Sequence, residues 1–300
     1  MERVTPIPSS LPTVGLTALG VAAIRAGETA RSDRLFEDPY AEGFVRAAGY
    51  ERSAEPESPT QIEVMERRRL TAWIAVRTRF LDEVVLSACA AGCRQVVLVG
   101  AGLDARAFRL DWPAGTRLWE LDLPGVLRFK ETVVQAEAWV PRCERTTVEV
   151  DLSEDWGRPL QQRGFDPQAQ VVWVAEGLLA YLSVDVRDAL IETAAGLSVA
   201  GSRFGLTLAA AKRSDERRRV SGENGVNGEV RGNGEVGAKP RTYKALFQSA
   251  APEDPWGWLG SRGWRADLFD VAERSGFYGR SPAADDAGAN RARLVDARRL

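Results

Sequence analysis

The run Val96-Val97-Leu98-Val99-Gly100-Ala101-Gly102-Leu103-Asp104 constrains this 300-residue chain more than any other stretch. An apolar, β-branched segment enters a turn with two glycines and leaves toward a helix. Glycine suits such a turn because a Cβ would block close approach of a bound nucleotide to the backbone. Gly100, Gly102 and Ala105 also satisfy the dinucleotide pattern G-x-G-x-x-A, and a purely structural tight turn uses the same residues. The feature predicts a nucleotide-binding strand–turn–helix without choosing the nucleotide.

From residue 95 onward, strand and helix signals alternate. Strands are predicted at Gln95–Val99, Thr116–Leu121, Thr146–Val150, Gln170–Ala175 and Arg203–Ala209, with helices near 123–138, 154–163 and 184–198. Short β-branched runs separated by helices make parallel βαβ units in a doubly wound α/β sheet. Ligands of such sheets bind at the carboxyl ends of the strands. Trp264–Asp270 and Arg291–Ala297 complete a seven-stranded, mostly parallel sheet. Ahead of the core, 14–31 and 35–48 read as short helices interrupted near Asp38-Pro39, where proline disfavours helix for the residue before it. A Glu/Pro/Ser-rich loop, 51–60, leads to a long helix over 61–91 that stops at Gly92. The expected organisation is an N-terminal helical cap (1–92), a Rossmann-like nucleotide-binding core (93–212), an insertion between strands five and six (213–240), and a C-terminal part of the sheet with a substrate-side lid (241–300). The insertion repeats Asn, Gly, Glu and Val without a period, so it is expected to be flexible.

Forty basic residues against forty-two acidic ones leave a net charge of −2. That balance gives no electrostatic reason to expect nucleic acid or an anionic membrane as partner. Arg67-Arg68-Arg69 and Arg217-Arg218-Arg219 sit beside carboxylates and read as solvated helix faces. Cys89, Cys93 and Cys143 share no repeated spacing, which argues against a disulfide framework and for a reducing, cytoplasmic compartment. Met1 to Leu19 lacks the pattern of a signal peptide, and no apolar run approaches the roughly 20 residues that span a bilayer. The sequence contains no histidine. Ser-His-Asp hydrolysis, His general bases and His-ligated metal are thereby excluded within this chain, and no metal site is expected.

Acids recur at the predicted strand ends. Asp122 stands twenty residues after Gly102, in Leu118-Trp119-Glu120-Leu121-Asp122-Leu123, where a carboxylate accepts hydrogen bonds from ribose hydroxyls; Glu120 competes for that role. Asp151-Leu152 ends the third strand, where the acid would meet an adenine amino group and the leucine would pack on the ring. Glu176-Gly177 ends the fourth, in Val174-Ala175-Glu176-Gly177-Leu178-Leu179-Ala180-Tyr181. A lone acid after a strand is often only a helix cap. Together with Asp104, such a ring of carboxylates suits a cationic sulfonium cofactor and would repel a pyrophosphate, which favours S-adenosylmethionine (SAM) over NAD.

The run VVLVGAGLDARAFRLDWPAGTRLWELDLPGVLRFK resembles the leucine carboxyl methyltransferase family and its bacterial relatives, as do AEGLLAYL and the early RLFEDPYAEGF. The resemblance extends over residues 15–212 and 256–298. It implies a class I methyltransferase sheet with SAM as methyl donor, in a family that includes carboxylate methylation of proteins and of polyketide-type natural products. It also implies roles residue by residue: Gly100 against the cofactor with Ala101, Gly102 and Asp104 in the same turn, Asp122 and Leu123 at the ribose, Asp151-Leu152 at the adenine, and Glu176-Gly177 as the fourth-strand motif. Arg77 matches the helix arginine that holds the SAM carboxylate, a task that suits a guanidinium fork, and Arg25 corresponds to a further basic contact.

Methyl transfer is an in-line displacement at carbon, governed by positioning. A carboxylate acceptor, with a pKa near 4, is already ionised at neutral pH and needs no base, in keeping with a chain that lacks histidine. A phenol or other hydroxyl acceptor would require Glu176, Asp104 or Tyr181 as base; Glu176 and Tyr181 are the candidate catalytic residues. The acceptor is expected to be a small molecule. Two other classes of function share the glycine turn. One is an NAD(P)-dependent oxidoreductase, for which neither Tyr181 nor Tyr243 has the lysine four residues on; the other is a non-catalytic SAM-binding protein. Trp256, Trp258, Trp264 and Phe269 either line an acceptor pocket or pack the C-terminal core.

Overall fold

The computed structural model describes residues 13–50, 61–208, 247–280 and 292–300. The 51–60 loop, the Arg217–Arg219 cluster, Tyr243 and the insertion at 213–240 lie outside the described residues.

Three helices precede the sheet: α1 (Thr13–Thr29), α2 (Ala41–Ala47) and α3 (Gln61–Ala90). Then follow β1 (Gln95–Val99), α4 (Arg106–Arg109), β2 (Arg117–Asp122), α5 (Pro124–Ala136), β3 (Glu144–Glu149), α6 (Gly157–Gln162), β4 (Val171–Ala175), a single 3-10 turn (Leu179–Tyr181), α7 (Val184–Gly196) and β5 (Arg203–Leu208). The chain closes with α8 (Pro255–Gly260), β6 (Trp264–Asp270), α9 (Val271–Phe277) and β7 (Arg293–Arg299). The strands form one seven-stranded sheet in the order β3-β2-β1-β4-β5-β7-β6. Among the described strands β7 alone runs against the others, antiparallel to both β5 and β6. The mostly parallel seven-stranded α/β sheet expected from the sequence is therefore present.

Both faces of the sheet are covered, which explains the unbroken apolar strands. Successive side chains on a strand point to opposite faces. Val96 and Leu98 pack with Val85 and Leu81 of α3 and with Phe129 of α5, whereas Val97 and Val99 pack with Trp173, Leu190 and Ile191 on the other side. Trp119 and Trp173, fully buried, meet Phe165 at ring-centroid distances of 5.7 and 5.5 Å.

Helix α2 begins later than the predicted 35–48 stretch. The Asp38 carboxylate accepts the backbone N–H groups of Tyr40 and Ala41 at 3.2 and 3.1 Å, so a side chain competes with helix for the 35–40 backbone before Pro39 is reached. The last strand sits two residues later than predicted, at Arg293–Arg299. Sequence reading gave no helices at α4, α8 and α9, which are short. The latter two are set by side-chain caps: Asp254 accepts from Gly257 N at 3.0 Å, and Asp270 from Ala272 N at 2.8 Å.

The four C-terminal aromatics do not converge. Trp264 is buried against Phe204, Phe269 lies against Phe80 on the opposite face, Trp258 donates to Asp188 at 3.0 Å and Trp256 is exposed. The shared acceptor pocket allowed by the sequence is thus replaced by packing of separate core regions.

Gly205 of β5 is where α3 meets the sheet. A Cβ there would lie 2.8 Å from Leu81 Cδ2 and 3.2 Å from Val84 Cγ1, both in the core. Gly205→Ala is expected to destabilise the fold by about 1–3 kcal/mol, read as a lowered urea midpoint with unchanged slope.

Candidate functional site

The carboxyl ends of β1, β2 and β4 converge beneath α1 and α3. Gly100 and Gly102 both adopt left-handed backbone, φ +65° and +49°. A Cβ on Gly100 would lie 2.7 Å from Leu178 Cδ1, so both the left-handed backbone and the packing of Leu178 call for glycine there. Asp122, at the end of β2, accepts Gly102 N at 2.6 Å through one oxygen and Leu123 N at 2.7 Å through the other. Burial raises its pKa, opposed by those two bonds. Each carboxylate oxygen keeps a further lone pair for a hydroxyl donor.

Beside this turn lies a buried ionic cluster. Arg25 of α1, Arg77 of α3, and Arg106 and Arg109 of α4 face Glu176, Asp104, Asp82 and Asp38, so the charges match one for one. Glu176 Oε1 accepts from Arg25 Nη2 at 2.8 Å, Arg77 Nε at 3.0 Å and Thr78 Oγ1 at 3.1 Å. Arg106 Nη1 lies 2.8 Å from Oε2 and also bonds Asp104. Arg109 grips both oxygens of Asp82 at 2.7 Å. Burial alone would raise Glu176, but the charges of Arg25, Arg106 and Arg77 outweigh it and hold the group well below the usual carboxylate range. Asp104 is likewise lowered: burial is outweighed chiefly by Arg106 and Arg25. Burial pushes the Tyr181 phenol up, against smaller effects of Arg77 and of a hydrogen bond with Thr17.

Arg25, Arg77, Glu176 and Gly177 are thus brought together; a Cβ on Gly177, φ +67°, would strike the Arg77 guanidinium at 2.8 Å. Gly100, Ala101, Gly102, Asp104, Asp122 and Leu123 form the adjoining turn. Asp151 and Leu152 follow β3, whose end pairs with that of β2; Asp151 is exposed, and its carboxylate accepts Ser153 N and Oγ at 2.9 and 2.7 Å.

Two expectations change. Glu120 does not lie at the strand end as a rival to Asp122. It points into the core, wholly buried, with Lys130 Nζ 2.8 Å away and Arg145 bonded to both oxygens at 2.9 and 2.7 Å. Glu120 stands two residues before Asp122, on the same face of β2 but roughly 7 Å back along the strand, so it lies among core cations beneath the rim. The ring of free carboxylates is also not what forms: Asp104, Glu120 and Glu176 are each neutralised by arginine or lysine, while Asp122 and Asp151 are held by backbone and serine donors. Sequence reading missed Thr78, Asp82, Arg106, Arg109, Lys130 and Arg145 as members of these clusters. Thr78 and Asp82, four residues apart on α3, share one face by helical spacing.

A glycine turn after β1, an acid at the end of β2 bonded to that turn and a sheet with one reversed strand between β5 and β6 are consistent with a class I methyltransferase fold. The model of the leucine carboxyl methyltransferase family matches residues 18–195. A protein of Frankia alni named as a candidate SAM-dependent methyltransferase is 45% identical over 281 residues, covering 92% of this chain and 92% of its own. A protein of Streptomyces avermitilis with the same designation is 44% identical, covering 93% and 91%. Among solved structures, a DUF574-family protein of Streptomyces avermitilis aligns at TM-score 0.53 and 13% identity over 93% of this chain and 97% of that one. A candidate methyltransferase of Thermobifida fusca aligns at 0.50 and 16% over 93% and 94%, a likeness of fold. The chain belongs to the leucine carboxyl methyltransferase family and is an S-adenosylmethionine-dependent methyltransferase. That membership decides between the SAM and nicotinamide readings of the glycine turn.

Glu176, Asp104 and Glu120 all have folded-state pKa values below their unfolded ones. Their stabilisation is complete above the unfolded values, about 4, and is lost as pH falls toward the folded ones. The melting temperature is expected to hold between about pH 8 and 5 and to drop below about pH 4, measured by thermal melts in matched ionic strength.

Proposed function

We propose that this chain is an O-methyltransferase that forms methyl esters on the carboxylate of a small molecule or natural-product intermediate. The observation that supports this reading is the state of the three groups available as a base. Glu176 and Asp104 are held ionised by arginines, and a carboxylate with a depressed pKa is a weak proton acceptor. Burial holds Tyr181 in its neutral form. None is tuned near neutrality, and the sequence holds no histidine. The acceptor that fits arrives already ionised.

The residues present suit the cofactor. The glycine turn would face the cofactor through its backbone, Asp122 would take the ribose hydroxyls, Asp151 and Leu152 the adenine, and Arg77 with Arg25 the amino-acid carboxylate. SAM supplies an electrophilic methyl group on a sulfonium. The chain's own contribution is to align the acceptor oxygen with that methyl, and alignment of this kind is worth up to roughly 7–11 kcal/mol. Tyr181, close to Arg77 and packed edge-on to Phe247 with ring centroids 5.1 Å apart, would act on the acceptor as a hydrogen-bond donor rather than as a base. The neutral charge balance and the three free thiols, Cys89, Cys93 and Cys143, support a cytoplasmic enzyme acting on a small molecule without nucleic acid. Among the described residues, no helix is long and apolar enough to cross a membrane.

With methyl-labelled SAM and a panel of carboxylic acids and phenols, label is expected in products that alkali releases as methanol, at a rate nearly flat from about pH 6 to 9. Alkali-stable label alone, or a rate that climbs with pH, identifies a hydroxyl acceptor instead; SAM binding with no turnover on any acceptor marks a non-catalytic protein. Asp122→Ala removes a charged hydrogen-bond acceptor worth about 1.5–3 kcal/mol, so SAM should bind roughly 10- to 100-fold more weakly in calorimetry.

A further inference from the structure

Arg106 opens α4 directly after the glycine turn, and its side chain is wholly buried. Its guanidinium holds three carboxylates from three elements. Nε donates to Asp82 of α3 at 2.7 Å; Nη1 bonds Asp104 of the turn and stands 2.8 Å from Glu176 Oε2 at the end of β4. Nη2 donates to the Thr78 carbonyl at 3.3 Å, and the Arg106 backbone N–H donates to Asp104 at 2.7 Å. The donors of a guanidinium lie in one rigid plane. Fixing that plane fixes the glycine turn, α3 and the β4 end relative to one another.

We propose that Arg106 is a positioning residue for methyl transfer, setting the separation of the glycine turn from the β4 end and thereby the geometry of the cofactor held between them. The inference rests on the placement of SAM over that turn. Arg106 touches neither Gly100 nor Gly177 in the contacts above and acts through Asp104 and Glu176. It also governs the ionisation of Glu176. Facing that carboxylate are Arg25 from α1, Arg77 and Thr78 from α3, and Arg106 with Asp104 from the turn and α4; Tyr181 lies near Arg77. Without Arg106, burial and the like charge of Asp104 meet less opposition, and Glu176 takes up a proton at higher pH.

The test is calorimetric SAM binding by the full chain at pH 6 and pH 8. Wild type is expected to change less than about twofold between them, since Glu176 stays ionised. Arg106→Lys keeps the charge without the planar fork and should weaken binding about tenfold at both pH values. Arg106→Gln should weaken it by at least about tenfold and bind more weakly at pH 6 than at pH 8, and adding Glu176→Gln should abolish that pH dependence. Variants that bind as wild type does, or that lose melting temperature with affinity and pH response unchanged, overturn the inference and leave Arg106 a structural brace. Wild type that gives no heat with SAM overturns the cofactor placement, and this inference with it. Should neither variant fold, glutamate carboxyl NMR on the wild-type chain decides. Glu176 must titrate below its unfolded value, and protonation at or above that value refutes the ion-paired geometry given to Arg106, Asp104 and Glu176.

Discussion

An ion buried without a partner costs several kcal/mol, and this chain buries four arginines beneath the carboxyl ends of its strands. Arg25, Arg77, Arg106 and Arg109 are therefore obliged to find Glu176, Asp104, Asp82 and Asp38, and those eight residues come from five segments that are far apart in sequence. The demand for neutrality does what apolar packing does not do well. Hydrophobic contacts are non-directional, whereas each guanidinium accepts carboxylates only along its donor directions. The helical cap, the glycine turn and the loop after β4 are located against each other by that geometry.

The same constraint shapes the chemistry. On the proposed function, carboxylates locked in ion pairs are poor proton acceptors, and catalysis falls to holding the reactants in place. Methyl transfer suits such a site because the electrophile comes ready-made on the cofactor. In this view the missing histidine and the crowded arginines belong together: both describe a reaction in which the enzyme's task is geometric.

The fold was legible in the sequence because its signals are local. Unbroken apolar strands, two glycines in a turn and alternating helices announce a doubly wound sheet, and residues 95–99 were placed to the residue. Short helices such as Arg106–Arg109 were not legible, since four residues carry no period. The start of α2 depended on the Asp38 side chain bonding its own backbone, which composition does not reveal. At the site, Gly100 and Asp122 were readable because their roles follow from position along a strand. The partners of the acids were not. Arg106 carries no local signal of its role, and only the crossing of α3 over the sheet brings Asp82 and Thr78 to it. Glu120 misled because residues two apart on a strand share a face, so Glu120 and Asp122 read alike although one lies roughly 7 Å deeper along β2.

The order of strands has a bearing on how the molecule assembles. β7 follows β6 along the chain yet lies inside it, between β5 and β6. β6 consequently has no neighbour in the sheet until the segment after it has arrived, and during synthesis β5 would present an open flank of unpaired amides and carbonyls. Growth from the ribosome therefore leaves a sticky border exposed until Arg293–Arg299 have emerged, the interval in which a chaperone would be most useful.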